Sequence, residues 1–382
     1  MNKIEFFKHN IDEKDIGRAN DVLRSIFLTT GKVVEEFEVA LADYVGAKKV
    51  VGVTSCTAAL HLCLLAWGIG EGDEVITTPM SFCATSNSVL HAGAKPVFVD
   101  VEEDTGNINA DLIDAAITKK TKAIMPVHLY GQMCDMKKIR KIADKHKLVV
   151  MEDAAHCIEG KRDGVRVGEL GDAACYSFYA TKNITSGEGG AISTNDVAKA
   201  DLLKMLRSHG IDRTAGDRYT KKYQHWDMTE LGWKYNMDNI QAALLIGQLE
   251  RIETLWQRRN AIAMQYEEAF DGVKGIELMK TAPNSKHPRH LFTIQVSPER
   301  RDEILYKLQG KGIGVAVNYR AIHLLKYYRE HFGFKEGDFP VAEKIGYRTI
   351  SIPLYPKMSR NDVELIVSSV MQFVGSSEGA AK

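Results

Sequence analysis

The first half of the chain alternates short β-branched runs with amphipathic stretches, and this alternation constrains the fold more than any other feature. Strands separated by helices build βαβ units and hence a parallel sheet. Runs such as VVGV at 50–53 are apolar at successive positions, as in strands that helices cover on both faces. We therefore predict an α/β fold with a mostly parallel sheet. The predicted strands are 49–54, 73–79, 95–101, 122–130, 147–153 and 173–180, and the predicted helices between them are 57–68, 82–93, 109–117 and 135–147.

The second half has a different pattern. Residues 236–270 keep a helical period throughout, which predicts a long helix that bends or joins two domains. Residues 272–374 mix strand-like runs at 290–296 and 312–319 with helical segments, as in a smaller α+β domain. We place a large domain at 1–250, a small C-terminal domain at 251–374, and a disordered tail at 375–382, where the residues are small and polar.

Charge and cysteine usage lower the expectation of several functions. Fifty Lys and Arg balance fifty Asp and Glu, so no basic excess favours nucleic acid or an anionic membrane as a partner. The six cysteines form no CxxC pair and no Cys/His pair at a ligand spacing, so we expect buried free thiols in a reducing compartment and no metal site. We find no apolar signal-peptide core and no run of ~20 apolar residues. We therefore expect a cytoplasmic protein.

Two strand ends carry residues suited to holding a ligand, since ligands of open α/β sheets bind outside the carboxyl ends of the strands. The small residues 54–59 precede an apolar helix, where backbone N–H groups, the helix dipole and hydroxyls form an anion cradle. Asp153 ends another strand, where a buried acid needs a partner such as the protonated nitrogen of a pyridine ring. Each feature has an ordinary alternative, which is a helix N-cap.

A third strand end carries SFYATKNITSGEGG at 177–190. Its Lys182 lies among Phe, Tyr, Ala and Ile, where desolvation would depress its pKa and make the amine nucleophilic. The alternative is a solvated lysine on a polar loop. Ser177, five positions earlier, could reach the same anion as the 54–59 turn. An anion cradle, an acid and a desolvated lysine are together the three anchors that pyridoxal 5'-phosphate (PLP) requires.

These motifs, with PVHLYGQ at 126–132, RSHG at 207–210 and LGWKYNM at 231–237, resemble the DegT/DnrJ/EryC1/StrS family of PLP-dependent nucleotide-sugar aminotransferases. The resemblance runs from residues 28–38 to residues 351–356. It implies a fold-type-I aminotransferase, with a seven-stranded, mostly parallel sheet sandwiched by helices and a smaller α+β C-terminal domain.

The resemblance also implies roles for individual residues. Lys182 would bind the cofactor covalently and later move the proton of the reaction. Asp153 would pair with the pyridinium nitrogen. Asn236 would reach the phosphate from the partner subunit, so the protein would be a homodimer with shared active sites. The other implied cofactor contacts are Phe82 and His156 on the two faces of the ring, and Cys56, Thr57 and Ser177 at the phosphate.

For activity, the resemblance implies amino transfer from L-glutamate to the keto carbon, C4, of a nucleotide-linked 4-keto-6-deoxy sugar, in the biosynthesis of a glycan such as lipopolysaccharide O-antigen. A lysine at 182, where dehydrating relatives carry histidine, favours amino transfer. Two alternatives are amination at C3 and a non-catalytic regulator that binds PLP. The candidate substrate contacts are Thr30, Tyr319 and His323, although His323 could equally be a polar residue at a helix start.

Overall fold

The computed structural model describes residues 3–212 and 225–375. The strands are β1 Lys49–Val53, β2 Glu74–Thr77, β3 Lys95–Phe98, β4 Thr121–Ile124, β5 Val149–Asp153, β6 Lys161–Arg162, β7 Val165–Arg166, β8 Ala173–Ser177, β9 Gly190–Thr194, β10 Glu277–Leu278, β11 Ser285–Lys286, β12 Phe292–Gln295 and β13 Thr349–Ile352. The α-helices are Glu13–Leu23, Lys32–Val45, Cys56–Ala66, Ala84–His91, Ala110–Ala116, Met136–His146, Val197–Leu206, Asn239–Glu250, Ile252–Phe270, Pro298–Gly310, Lys326–Phe332, Pro340–Arg348 and Arg360–Gly375. The predicted tail lies outside the described residues from position 376 onward.

A seven-stranded sheet forms the centre of the fold, in the order β1-β9-β8-β5-β4-β2-β3. The pairs β5-β8, β4-β5, β2-β4 and β2-β3 are parallel, whereas β9 runs antiparallel to both β1 and β8. The antiparallel strand follows from chain connectivity, because β9 is joined to β8 by a loop without the crossover helix that a parallel pair needs. The prediction of a mostly parallel seven-stranded sheet is confirmed.

Both faces of this sheet are buried, which explains the apolar runs of the sequence. Val50 and Val150 belong to the core cluster on one face, and the next residues along, Val51 and Met151, belong to the cluster on the other face. Successive side chains of a strand point to opposite faces, so a strand between two helical layers is apolar at every position.

Two predicted elements differ from the sequence pattern. The strand predicted over 122–130 stops at Ile124, because Pro126 has no N–H to donate and the chain then forms a 3-10 turn at Leu129–Gly131. The helix predicted over 236–270 is two helices. It begins after Asp238, whose side chain caps it by accepting from Gln241 N–H at 2.8 Å, and it breaks at Arg251, whose φ of −110° is not helical.

The C-terminal region has its own three-stranded antiparallel sheet, in the order β10-β12-β13, over an apolar core. The strand predicted over 312–319 is absent and is replaced by isolated bridges, from Ile313 to Ile4 and from Ala316 to Ser351. Ile4 is only 3% exposed and packs in this C-terminal core. Within the described ranges, no helix combines the length and apolar character needed to cross a bilayer.

Candidate active site

A cavity of about 540 Å³ opens at the carboxyl ends of β1, β5 and β8. The three motifs predicted to hold a ligand meet here, because the carboxyl ends of neighbouring parallel strands lie at one edge of a sheet. Eight of the predicted site residues line the cavity: Cys56, Thr57, Phe82, Asp153, His156, Ser177, Lys182 and Tyr319. Asn236, Thr30 and His323 do not line it.

The turn after β1 forms one wall. Ser55 caps the helix Cys56–Ala66, since its hydroxyl accepts a hydrogen bond from Ala58 N–H at 3.1 Å. A Cβ at Gly190 would collide with the Ser55 carbonyl group, so only glycine lets β9 pass this closely against the turn. The helix N-terminus therefore opens into the cavity and can receive an anionic phosphate. Ser177, at the end of β8, lines the same cavity.

Asp153 ends β5 and is 5% exposed. Burial raises the pKa of its carboxyl group, while hydrogen bonds from the Thr85 hydroxyl, at 2.7 Å to Oδ2, and from Ala155 N–H, at 3.1 Å to Oδ1, oppose that rise. The structure thus provides donors that stabilise the carboxylate in a buried place. A carboxylate of this kind can bind the protonated nitrogen of a pyridine ring.

Lys182 follows β8 on a turn in which its backbone N–H donates to Tyr179 O at 2.9 Å. Burial lowers the pKa of its amine to about 8, and the Asp153 carboxylate acts in the opposite direction. About a tenth of the amine is therefore unprotonated and nucleophilic at pH 7, far more than for an ordinary lysine. The side chain has no hydrogen bond or ion pair to the parts of the chain that the structure describes, and it faces the cavity.

Aromatic and imidazole rings complete the cavity. The Phe82 ring is 59% exposed and lies 6.1 Å from the Tyr319 ring. The Tyr319 hydroxyl lies 3.1 Å from His156 Nε2, and the His156 ring is only 4.3 Å from the His290 ring. Burial keeps the pKa of His156 well below its ordinary value, so this imidazole is neutral. An exposed aromatic face and a neutral imidazole are suited to packing against a flat heteroaromatic ring.

Further residues that support these groups were not predicted from the sequence. Thr85 lay inside a predicted helix with no role assigned to it, and His290 lies more than a hundred residues after Lys182. His290 Nδ1 is 3.2 Å from Asn183 Oδ1, and the Asn183 amide donates to both oxygens of Glu159. Glu159 forms a buried ion pair with Arg259. Of these supporting residues, Asn183 stands inside the motif SFYATKNITSGEGG at 177–190, directly after Lys182.

Two predicted residues lie beside each other outside the cavity. Asn236 bridges to Val53 through the backbone, and its side-chain amide donates to Thr30 Oγ1 at 2.7 Å. The Thr30 hydroxyl in turn donates to Met237 O at 2.6 Å. The sequence separation of more than two hundred residues between Thr30 and Asn236 concealed this contact.

His323 does not support the predicted substrate contact. Its side chain is fully buried, with Nε2 at 2.8 Å from Glu343 Oε1 and its ring against Phe339. A side chain that is enclosed and already paired cannot reach a ligand in the cavity, so we withdraw this assignment in favour of the structural alternative.

The residues present fit PLP. The helix N-terminus at Cys56 and Thr57 would hold its phosphate, Asp153 its ring nitrogen and Lys182 its aldehyde carbon. Within the described ranges, no cluster of three or more His, Cys, Asp or Glu side chains could hold a metal ion.

Comparison with known proteins agrees with this fit. Residues 9–371 match the model of the DegT/DnrJ/EryC1/StrS aminotransferase family. The spore coat polysaccharide biosynthesis protein SpsC of Bacillus subtilis is 41% identical over 95% of both chains. A UDP-4-amino-4-deoxy-L-arabinose–oxoglutarate aminotransferase of Shewanella sediminis is 38% identical over 96% of this chain and 97% of its own.

A solved structure supports the same assignment. The sugar aminotransferase Spr1654 of Streptococcus pneumoniae, in its PMP form, superposes with a TM-score of 0.92 and 31% identity, over 97% of this chain and 99% of that chain. The fold is therefore that of the fold-type-I aminotransferases, PLP is the cofactor and the protein is a transaminase. The chain belongs to the DegT/DnrJ/EryC1/StrS aminotransferase family.

Proposed function

We propose that the protein transfers an amino group from L-glutamate to the C4 keto carbon of a nucleotide-linked 4-keto-6-deoxy sugar. The single observation that carries the proposal is the meeting of Lys182, whose pKa is lowered to about 8, with Asp153 and the helix N-terminus at Cys56 in one cavity. The sugar aminotransferases among its relatives support the substrate class.

Four residues of the cavity have roles in this reaction. When bound, PLP supplies the electron sink for the carbanion that forms when a substrate carbon loses its proton. Lys182 would hold the cofactor and, once released, its Nζ would carry the proton that the reaction moves. Asp153 would bind the protonated ring nitrogen. Phe82 and His156 would pack against the ring.

The choice of C4 and glutamate rests on two kinds of support. The Shewanella relative is named for an amino group at carbon 4 of a UDP sugar and for oxoglutarate, which becomes glutamate when it gains that group. The EDAAH motif at 152–156 and the NYRAIH segment at 318–323 of this chain resemble C4-aminating members. The relation to SpsC supports a role in glycan biosynthesis, for which we propose lipopolysaccharide or O-antigen as the product class.

We also propose that the active enzyme is a homodimer in which Asn236 serves the partner's cavity. Asn236 does not line the cavity of its own chain and is held by Thr30 at the surface. The neighbouring segment exposes large apolar side chains, with Ile26 at 87% and Leu23 at 56%. An exposed apolar area of this kind commonly marks a protein interface. The six free thiols are consistent with a reducing, cytoplasmic location.

The test is to incubate the purified protein with L-glutamate and a panel of UDP-, dTDP- and GDP-linked keto sugars, and to locate the new amine by NMR. We expect a 4-amino product from one 4-keto-6-deoxy sugar. An amine at carbon 3 would replace the C4 assignment, and no aminated product from any sugar would refute the proposal. The control is Lys182→Ala, which we expect to remain folded and to form no product.

A further inference from the structure

Phe6 lines the cavity with Asn318 and Tyr319, although it lies about fifty residues before the nearest cofactor motif. Its ring is partly exposed. The cofactor anchors are on the walls formed by β1, β5 and β8, whereas Phe6 is on the wall built by the C-terminal region. Phe6 therefore lines the part of the cavity that the cofactor motifs do not line, where a substrate can bind.

The position of Phe6 is fixed by the C-terminal region. Ile4 N–H donates to Gly312 O at 2.9 Å, and Gly314 N–H donates to Ile4 O at 2.8 Å, which makes a short parallel bridge. The buried Ile4 side chain holds this bridge in the apolar core. A Cβ at Gly314 would collide with the backbone nitrogen of Phe6, so the close approach requires glycine.

The chain is held on the other side of Phe6 as well. Arg251 Nη2 donates to Asn10 O at 2.8 Å, and the same guanidinium group pairs with Asp15 in the helix Glu13–Leu23. The segment from Ile4 to Asn10 is thus attached at both ends. Attachment at both ends makes the ring of Phe6 a preorganised surface of the cavity, and preorganisation lowers the entropic cost of binding.

The chemistry of the ring indicates which of the two substrates it contacts. Glutamate carries three charged groups, for which a phenyl ring offers no hydrogen bond and no opposite charge. A 6-deoxy hexose has apolar C–H faces and a methyl group, which pack favourably on an aromatic face. We propose, building on the function proposed above, that Phe6 is a specificity-determining residue that contacts the hexose of the nucleotide sugar and not the amino donor.

Each half-reaction of an aminotransferase uses only one of the two substrates, so a residue that contacts the sugar alone should affect the sugar half-reaction alone. We would compare the wild-type protein with Phe6→Ala, following the lysine-bound cofactor by its visible absorbance. Glutamate would drive one half-reaction, and dTDP-4-keto-6-deoxyglucose, with its UDP analogue run beside it, would drive the other. We expect the rate constant with glutamate to stay within about twofold and kcat/KM for the sugar to fall about tenfold or more, as for the loss of an apolar contact.

Two further variants exclude a general loss of structure. Phe7→Ala is the matched control, since Phe7 is 36% exposed and does not line the cavity, and it should change neither half-reaction. Gly314→Ala keeps the Phe6 side chain but displaces its backbone, so it should reproduce the selective loss seen with Phe6→Ala. The matched control for this variant is Gly310→Ala, where nothing lies within 4 Å of the added methyl group.

Calorimetric binding of the aminated product, dTDP-4-amino-4,6-dideoxyglucose, gives a readout without turnover and should weaken about tenfold in Phe6→Ala. An unchanged sugar half-reaction in Phe6→Ala, or an equal loss in both half-reactions, overturns the inference. A wild-type protein that does not react with glutamate contradicts the proposed function itself. The two failures are therefore distinguishable.

Discussion

The Thr85 hydroxyl donates to Asp153 Oδ2 over 2.7 Å, and both side chains are buried in the wall of the cavity. This hydrogen bond opposes the effect of burial, which raises the pKa of the Asp153 carboxyl group. Thr85→Val removes the hydroxyl at nearly constant volume, so we expect a higher Asp153 pKa and weaker retention of PLP, by about tenfold, as for one hydrogen bond to a charged group. Equilibrium dialysis against PLP measures the change.

The control for this variant is Ser88→Ala on the same helix. The Ser88 hydroxyl donates to Thr85 O at 2.7 Å and does not touch Asp153, so its loss should leave PLP retention unchanged. Equal effects of both variants would mean that the helix as a whole, and not the bond to Asp153, determines retention.

Motifs at strand ends could be predicted because the α/β fold brings the carboxyl ends of parallel strands together, as it does for Cys56, Asp153 and Lys182. Contacts between residues that are far apart in the sequence could not be predicted in this way. The Phe6 and His290 side chains enter the cavity from segments whose sequence carries no motif, and they are positioned by tertiary packing alone. His323 was assigned from its place in a motif, but the pairing with Glu343 that buries it is not visible in sequence.

The lowered pKa of Lys182 predicts how cofactor uptake depends on pH. Only the neutral amine attacks an aldehyde, so the rate of PLP uptake by the cofactor-free protein should rise with pH and level off above about 8. Below that pH the rate should fall about tenfold for each unit. Stopped-flow absorbance measures the rate, and Lys182→Arg should show no covalent uptake. A midpoint near the ordinary lysine pKa would contradict the desolvation of this amine.

Gly190 supports the phosphate cradle by its lack of a side chain. A Cβ there would lie 2.6 Å from Cys56 N and closer still to the Ser55 carbonyl group, so Gly190→Ala must displace the turn whose N–H groups face the cavity. We expect PLP affinity to fall at least tenfold and the melting temperature to fall as well. Gly17→Ala is the matched control, because nothing lies within 4 Å of the added methyl group on a helix, and it should be neutral or slightly stabilising.

The ion pair between Arg259 and Glu159 lies next to the active site, since Glu159 also accepts from Asn183, the neighbour of Lys182. Both charged side chains are almost fully buried, with 2% and 3% exposure. Arg259→Met leaves a buried carboxylate without its cation, so we expect a loss of about 3–5 kcal/mol in the free energy of unfolding. Urea denaturation measures it. Adding Glu159→Gln should recover part of that loss. A double variant less stable than Arg259→Met would show that the unpaired Glu159 carboxylate is not its cause.

Asn236 provides the test of a shared active site. If its side chain reaches the partner's phosphate, Asn236→Ala removes one hydrogen bond to a charged group, and PLP retention should weaken about tenfold at protein concentrations where the dimer persists. On dilution below the dimer dissociation constant, the wild-type protein should lose PLP to the same degree, and the difference from the variant should vanish. Sedimentation velocity with absorbance detection of the bound cofactor measures the fraction of dimer and the amount of bound PLP together.

Thr30→Val is the companion variant, because Thr30 Oγ1 accepts a hydrogen bond from the Asn236 amide at 2.7 Å and orients that amide. This variant should give a smaller loss of PLP retention in the same direction. Retention that is equal in wild type and Asn236→Ala at every concentration would contradict the shared site, and a defect that persists in the monomer would place Asn236 in the site of its own chain.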